Sequence, residues 1–217
     1  MKFNIPLVFL HVPKCGGTTI SSWLEGVGSY GFNYIEHYPK DDLDEIKICR
    51  TDNSVISGHF LRHKGRSIED SISFDVSYCS VIRDPLDILV SYYFWSSRER
   101  HQWTTEVSLY SFLNWVASDA EKDGCFKNPI LDALPLWNQS DSVEDYMSKF
   151  IIIKTISQIE SFCDEINALL GINMPHPSRA LNKSEKNIEV NQVDGMRDRF
   201  REVLWRDYMI YDAVNRI

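Results

Sequence analysis

The chain has 217 residues, enough for one domain with a substantial core. It is 43% hydrophobic and 25% charged, which excludes a disordered, collagen-like or coiled-coil protein. Its 23 Lys and Arg against 31 Asp and Glu leave a net charge of −8, which argues against a nucleic-acid binder and against any enzyme that grips a long polyanion through bulk charge. A local basic pocket for a small anion stays open.

The N-terminal apolar run Ile5 to Val12 is interrupted by Pro6 and His11 and is too short to cross a membrane. No small-residue cleavage site follows it, so it does not read as a signal peptide. The expectation is a soluble, cytoplasmic protein. Within this run, Leu7-Val8-Phe9-Leu10-His11-Val12 predicts a strand buried on both faces. The loop Pro13 to Gly17 follows, and Thr18 to Glu25 predicts a helix stopped by Gly26 and Gly28.

Asp42 to Cys49 predicts a short helix, and Ser54-Val55-Ile56-Ser57 a second strand running into Gly58-His59. Tyr78 to Ile82 predicts a third strand that ends at Arg83-Asp84-Pro85. Pro85 suits the first turn of a helix through Leu86, Leu89, Val90 and Tyr93. Helical periodicity recurs over 107–120, Phe150 to Ile153 predicts a fourth strand, and a helix over 157–170 ends at Gly171. A loop covers 171–190, and two helices, 191–205 and 207–215, close the chain.

Strands alternating with helices predict an α/β fold with a central parallel sheet. Such folds bind ligands outside the carboxyl ends of their strands. Three of the four predicted strand ends carry reactive or anion-binding residues.

The first of these ends, His11-Val12-Pro13-Lys14-Cys15-Gly16-Gly17-Thr18-Thr19, suits a phosphate group. Glycines let backbone N–H groups approach an oxyanion, a helix N-terminus adds its positive end, two threonines add hydroxyls and Lys14 adds a charge. The nucleoside-triphosphate loop G-x-x-x-x-G-K-[ST] is a different pattern, because there the lysine follows the glycines. At the second end, Arg83 and Ser91 are eight residues apart, and from a strand end and the following helix both reach one anion. Taken alone, Arg83 reads equally well as the partner of Asp84 or Asp87. Beside the first loop, it suggests a ligand with two phosphate-like groups.

These segments resemble a known family. HVPKCGGTT resembles the 5′-phosphosulfate loop of sulfotransferases that use 3′-phosphoadenosine 5′-phosphosulfate (PAPS), and VIRDPLDILVSYYFW resembles their 3′-phosphate segment. ISGHF, residues 56–60, resembles the Gly-His segment of the heparan sulfate 2-O-sulfotransferase branch, and LNKSEKN, residues 181–187, resembles the late loop over the nucleotide. The resemblance implies one P-loop-kinase-like domain over 1–217, with a nucleotide-binding core at about 5–100 and 150–190 and a helical remainder at 101–149 and 191–217. It implies that Lys14 stabilises charge on the leaving phosphate and that Cys15, Gly16, Gly17, Thr18 and Thr19 form the cradle. Arg83 and Ser91 would take the 3′-phosphate, Lys183 and Ser184 would add contacts, and no metal is required. Gly17 departs from the family, many of whose members carry a hydroxyl residue there.

Among six histidines, His59 is the expected base, with His63 and His37 as backups; His11, on the strand, is expected to be structural. His101 and the aromatics of 92–103 would line an acceptor cleft, or else the aromatics enter the core. The expected reaction moves a sulfuryl group from PAPS to a hydroxyl of a carbohydrate or other small molecule. The alternatives are a P-loop-type small-molecule kinase and a non-catalytic domain that binds a nucleotide or sulfated ligand.

Overall fold

The computed structural model describes residues 6–26, 31–37, 54–60, 68–70, 72, 75–98, 107–122, 126–138, 140–177, 193 and 195–217. Among the described residues, five strands form one sheet: β1 (Leu7–Leu10), β2 (Gly31–His37), β3 (Ser54–Phe60), β4 (Ser77–Ile82) and β5 (Phe150–Thr155). All pairs are parallel, in the order β2-β3-β1-β4-β5. The predicted sheet therefore gains one strand, β2, at its edge. The predicted helix 42–49 and most of the loop 171–190 lie outside the described residues.

A parallel sheet must be covered on both faces. Side chains alternate along β1, so Leu7 and Phe9 enter one core and Val8 and Leu10 the other. The first core is closed by Ile20, Trp23 and Leu24 of α1 (Gly17–Glu25), together with Phe162 and Ile166 of a later helix, Ile159–Leu170. On the opposite face lie Ile130, Leu131 and Tyr146, with Ile210 and Val214 of the last helix, Trp205–Val214. Each fully buried aliphatic side chain contributes about 2 kcal/mol.

A third cluster joins α2 (Pro85–Arg98) to α3 (Leu109–Ala120) and the C-terminal helices through Leu86, Leu89, Phe112, Val116, Phe200 and Tyr208. The Ser108 side chain caps α3 by accepting from the Ser111 N–H, and Gly171, at φ +66°, ends the Ile159–Leu170 helix. Between β4 and β5, Tyr78 pairs with Phe150 and Cys79 with Ile152. Ile151 is the extra residue of this bulge and is 43% exposed despite its apolar character.

The strand order determines where a ligand can sit. After β1 the chain crosses to the β2–β3 side; after β4 it crosses to β5. The diverging connections leave a crevice at the carboxyl ends of β1 and β4. Leu10 lies opposite both Gly58 of β3 and Ser80 of β4, so these two strands each run two residues past the end of β1 and flank the turn that follows it. No helix among the described residues is long and apolar enough to cross a membrane.

Candidate active site

β1 ends two residues earlier than its apolar run suggests. The His11 N–H donates to the Gly58 carbonyl at 2.9 Å and the Val12 N–H turns back to the Leu10 carbonyl at 3.0 Å. The loop then takes two left-handed residues, Lys14 at φ +64° and Gly16 at φ +80°. Lysine pays about 1 kcal/mol for that conformation, a strain of the kind found at functional sites. Gly16 is the N-cap of α1 and brings no side-chain acceptor. The first N–H groups of a helix have no intrahelical carbonyl to meet, so this end presents donors and the positive end of the helix dipole to the loop.

Gly17 is glycine for a steric reason. A Cβ built there would stand 1.9 Å from His11 Cδ2 and 2.3 Å from its Nε2. The imidazole occupies the volume that a side chain at position 17 would need, so the glycine there is coupled to His11. The His11 ring is only 5% exposed and stacks on His59, with centroids 4.0 Å apart and planes inclined by 31°. Burial, then the neighbouring His59 and Lys14 charges, push its pKa down to about 3, so it is neutral near pH 7. Its Nδ1 is buried and has no hydrogen-bond partner among the described residues.

His59 lies inside β3, which extends to Phe60 rather than ending at Ser57. It is half-buried. On the other side of the loop, the Lys14 ammonium sits 4.9 Å from the Trp95 ring centroid, a cation–π contact that holds a long, flexible side chain in one place.

At the end of β4, Arg83 pairs with Asp87 one helical turn on, at 3.2 Å. That contact engages Nη2, and a guanidinium carries five N–H donors. Asp84 has a different task. Its Oδ1 accepts from the N–H groups of Leu86 and Asp87 and from the Tyr208 hydroxyl, and Arg197 donates to its Oδ2. It caps α2 and ties it to the C-terminal helices. Burial first, and then the Asp84 charge, push the Tyr208 phenol well up, so it remains a donor. Ser91 is 8% exposed on α2.

Thus Lys14, Gly16, Gly17, Thr18 and Thr19 lie on the β1–α1 turn, His59 on one neighbouring strand and Arg83 at the end of the other. Cys15 turns inward. Its side chain joins the core of Val8, Leu10 and Ile82, its N–H meets the Val12 carbonyl at 3.3 Å, and burial raises the thiol far above its ordinary pKa. A thiolate is therefore disfavoured there. Cys79 and Cys163 are likewise buried and unpaired. Tyr92, Tyr93 and Phe94 pack against the third cluster, so core packing accounts for most of that aromatic stretch. Lys183, Ser184, His63 and His101 lie outside the described residues, as does the side chain of His37. The links Lys14–Trp95, His11–Gly17 and Asp84–Arg197 carry no sequence signal, because each joins residues that only the fold brings together.

The sequence model of the sulfotransferase family matches residues 2–209. No curated protein sequence matches the chain. The chain is similar in fold to a mouse sulfotransferase complexed with PAP, at TM-score 0.56 and 13% identity over 99% of this chain and 89% of that one. It is also similar to a sulfotransferase from Alicyclobacillus acidocaldarius, at TM-score 0.49 and 15% identity over 95% of this chain and 96% of that one.

Proposed function

Since the chain belongs to the sulfotransferase family, we propose that it transfers the sulfuryl group of PAPS to an acceptor hydroxyl by in-line displacement, with Lys14 and His59 in the catalytic roles. One observation carries this reading: the strand order sets the basic turn of Lys14 beside His59 on one side and Arg83 on the other.

The residues present fit the donor. The α1 N-terminus offers backbone donors and Lys14 supplies the charge. Gly16, Gly17, Thr18 and Thr19 would hold the 5′-phosphosulfate, and Arg83 and Ser91 the 3′-phosphate that separates PAPS from ATP. Lys183 and Ser184 would add contacts from the late loop. PAPS supplies an activated sulfuryl group on a phosphate leaving group.

The protein's part is then positioning and electrostatic stabilisation. A ring nitrogen of His59 takes the proton of the acceptor hydroxyl. The acceptor oxygen bonds to sulfur as the bridging sulfur–oxygen bond breaks. Lys14 meets the negative charge that collects on the departing phosphate. A small, weakly charged acceptor, such as a carbohydrate hydroxyl, suits the acidic chain better than a long sulfated polymer.

The test is a thermal-shift panel of 3′-phosphoadenosine 5′-phosphate (PAP), ATP and GTP, followed by a labelled-sulfate acceptor screen. PAP should raise the melting temperature more than ATP. A larger shift with ATP and Mg²⁺ would favour the kinase reading instead. His59→Ala should bind PAP and lose transfer.

A further inference from the structure

The reaction so far gives His11 no part, yet among the described residues it carries a buried side-chain nitrogen with no hydrogen-bond partner. A side chain chosen for packing alone would be apolar. Here an imidazole is 5% exposed, with a nitrogen that has no partner among the described residues. An unsatisfied buried polar atom destabilises a fold, and in a native protein it calls for an explanation.

The contacts supply one. One ring edge is seated against Gly17, leaving no room for a Cβ there. The backbone N–H is tied to Gly58, the residue before His59, at 2.9 Å. The ring itself lies against the His59 ring at 4.0 Å between centroids. His11 therefore touches the phosphate cradle and the base at once. We infer that His11 is a positioning residue of the transfer site, whose flat ring, wedged against Gly17, fixes the plane of the His59 imidazole relative to the cradle.

The inference rests on the reading of His59 as base. In that reading His59 gains a proton during transfer. A neutral aromatic face at stacking distance holds the ring in place before transfer and accommodates the imidazolium afterwards. A second cation there would oppose it. Burial first, then the charge of His59 once it has taken the proton, and that of Lys14, keep His11 neutral.

The experiment uses His11→Leu and His11→Asn in the full chain, neither of which carries an aromatic face. Transfer is read as labelled sulfate released from PAPS, with water as acceptor. The new sulfur–oxygen bond then forms to water, the bond to phosphate breaks, and His59 takes the water proton. Both variants should lose at least tenfold in the release rate while their PAP affinity stays within twofold. His11→Leu should melt no lower than the wild type, since it removes the orphan nitrogen. In NMR spectra the His59 ring protons, shielded by the stacked ring in the wild type, should move downfield in both variants.

Wild-type release by either folded variant would overturn the inference, as would His59 shifts that do not move. His59→Ala separates the two readings. If that variant keeps releasing sulfate, the base assignment falls; if it is inactive while His11→Leu is normal, only the positioning role falls.

Discussion

The His11 ring fills the space above Gly17: a Cβ at position 17 would approach Cδ2 to 1.9 Å. The ring cannot retreat easily, because its other contacts are the His59 ring and the buried end of β1. Gly17→Ala should therefore cost about 2–3 kcal/mol by overpacking and weaken PAP binding through the displaced cradle. His11→Ala makes room for that methyl group, so the double variant should recover part of the loss. Urea denaturation of the four proteins in a double-mutant cycle checks this. Purely additive losses would mean that the two positions do not communicate.

Much of the interior was readable because buried parallel strands are continuous apolar runs. Leu7 to Leu10 and Phe150 to Ile153 declare themselves in this way, and Tyr78 to Ile82 does so with Ser80 as its one polar residue. The edge strand β2 does not, since Asn33, Glu36 and His37 interrupt its apolar residues and it pairs on one side only. The turn after β1 was readable in the same local way, because Pro-Lys-x-Gly-Gly-Thr-Thr after a buried strand specifies a strand–loop–helix junction. His11 was not. Whether a histidine at a strand end is structural or part of a site depends on what stands on the neighbouring strand, and register is a non-local property.

Lys14 and Trp95 give a second prediction. Removing a group aimed at charge that develops in the transition state costs about 10²–10³ in rate, so Lys14→Ala should lose that much transfer. Trp95→Leu leaves the lysine in place but removes the ring 4.9 Å from its ammonium. Such a contact is worth about 0.5–2 kcal/mol. The variant should fall up to about thirtyfold in rate, and Trp95→Phe, which keeps a weaker ring, by less. Equal rates in Leu and Phe variants would show that the aromatic face does not hold Lys14.

On the proposed reading, Arg83 distinguishes PAP from AMP. Calorimetry with PAP and AMP isolates the 3′-phosphate. Loss of a charge-assisted contact costs about 1.5–3 kcal/mol, so Arg83→Ala should weaken PAP by about 10- to 150-fold and leave AMP nearly unchanged. Asp87→Asn, which loosens the 3.2 Å pair that steadies the guanidinium, should have a smaller effect in the same direction. Equal weakening of both nucleotides would move Arg83 away from the 3′-phosphate.

His11 also makes the fold sensitive to acid in a way that can be isolated. Its pKa is about 3 in the folded protein, against 6.5 for an exposed histidine. Between those values the unfolded chain binds a proton that the folded chain refuses. Stability from this group is therefore complete above about pH 6.5, falls as the pH drops toward 3, and changes no further below that. The slope is at most about 1.4 kcal/mol per pH unit. From pH 7 to pH 5 the wild type should lose about 2 kcal/mol more than His11→Asn, which does not titrate. Ionisable groups remote from His11 contribute equally in both proteins and drop out of the difference, and the same pair in a His59→Asn background removes the coupling to the stacked ring. Urea midpoints at the two pH values measure the difference. Parallel losses would mean that the His11 ring takes up its proton inside the fold, through a movement that frees it from Gly17 and opens the stack on His59.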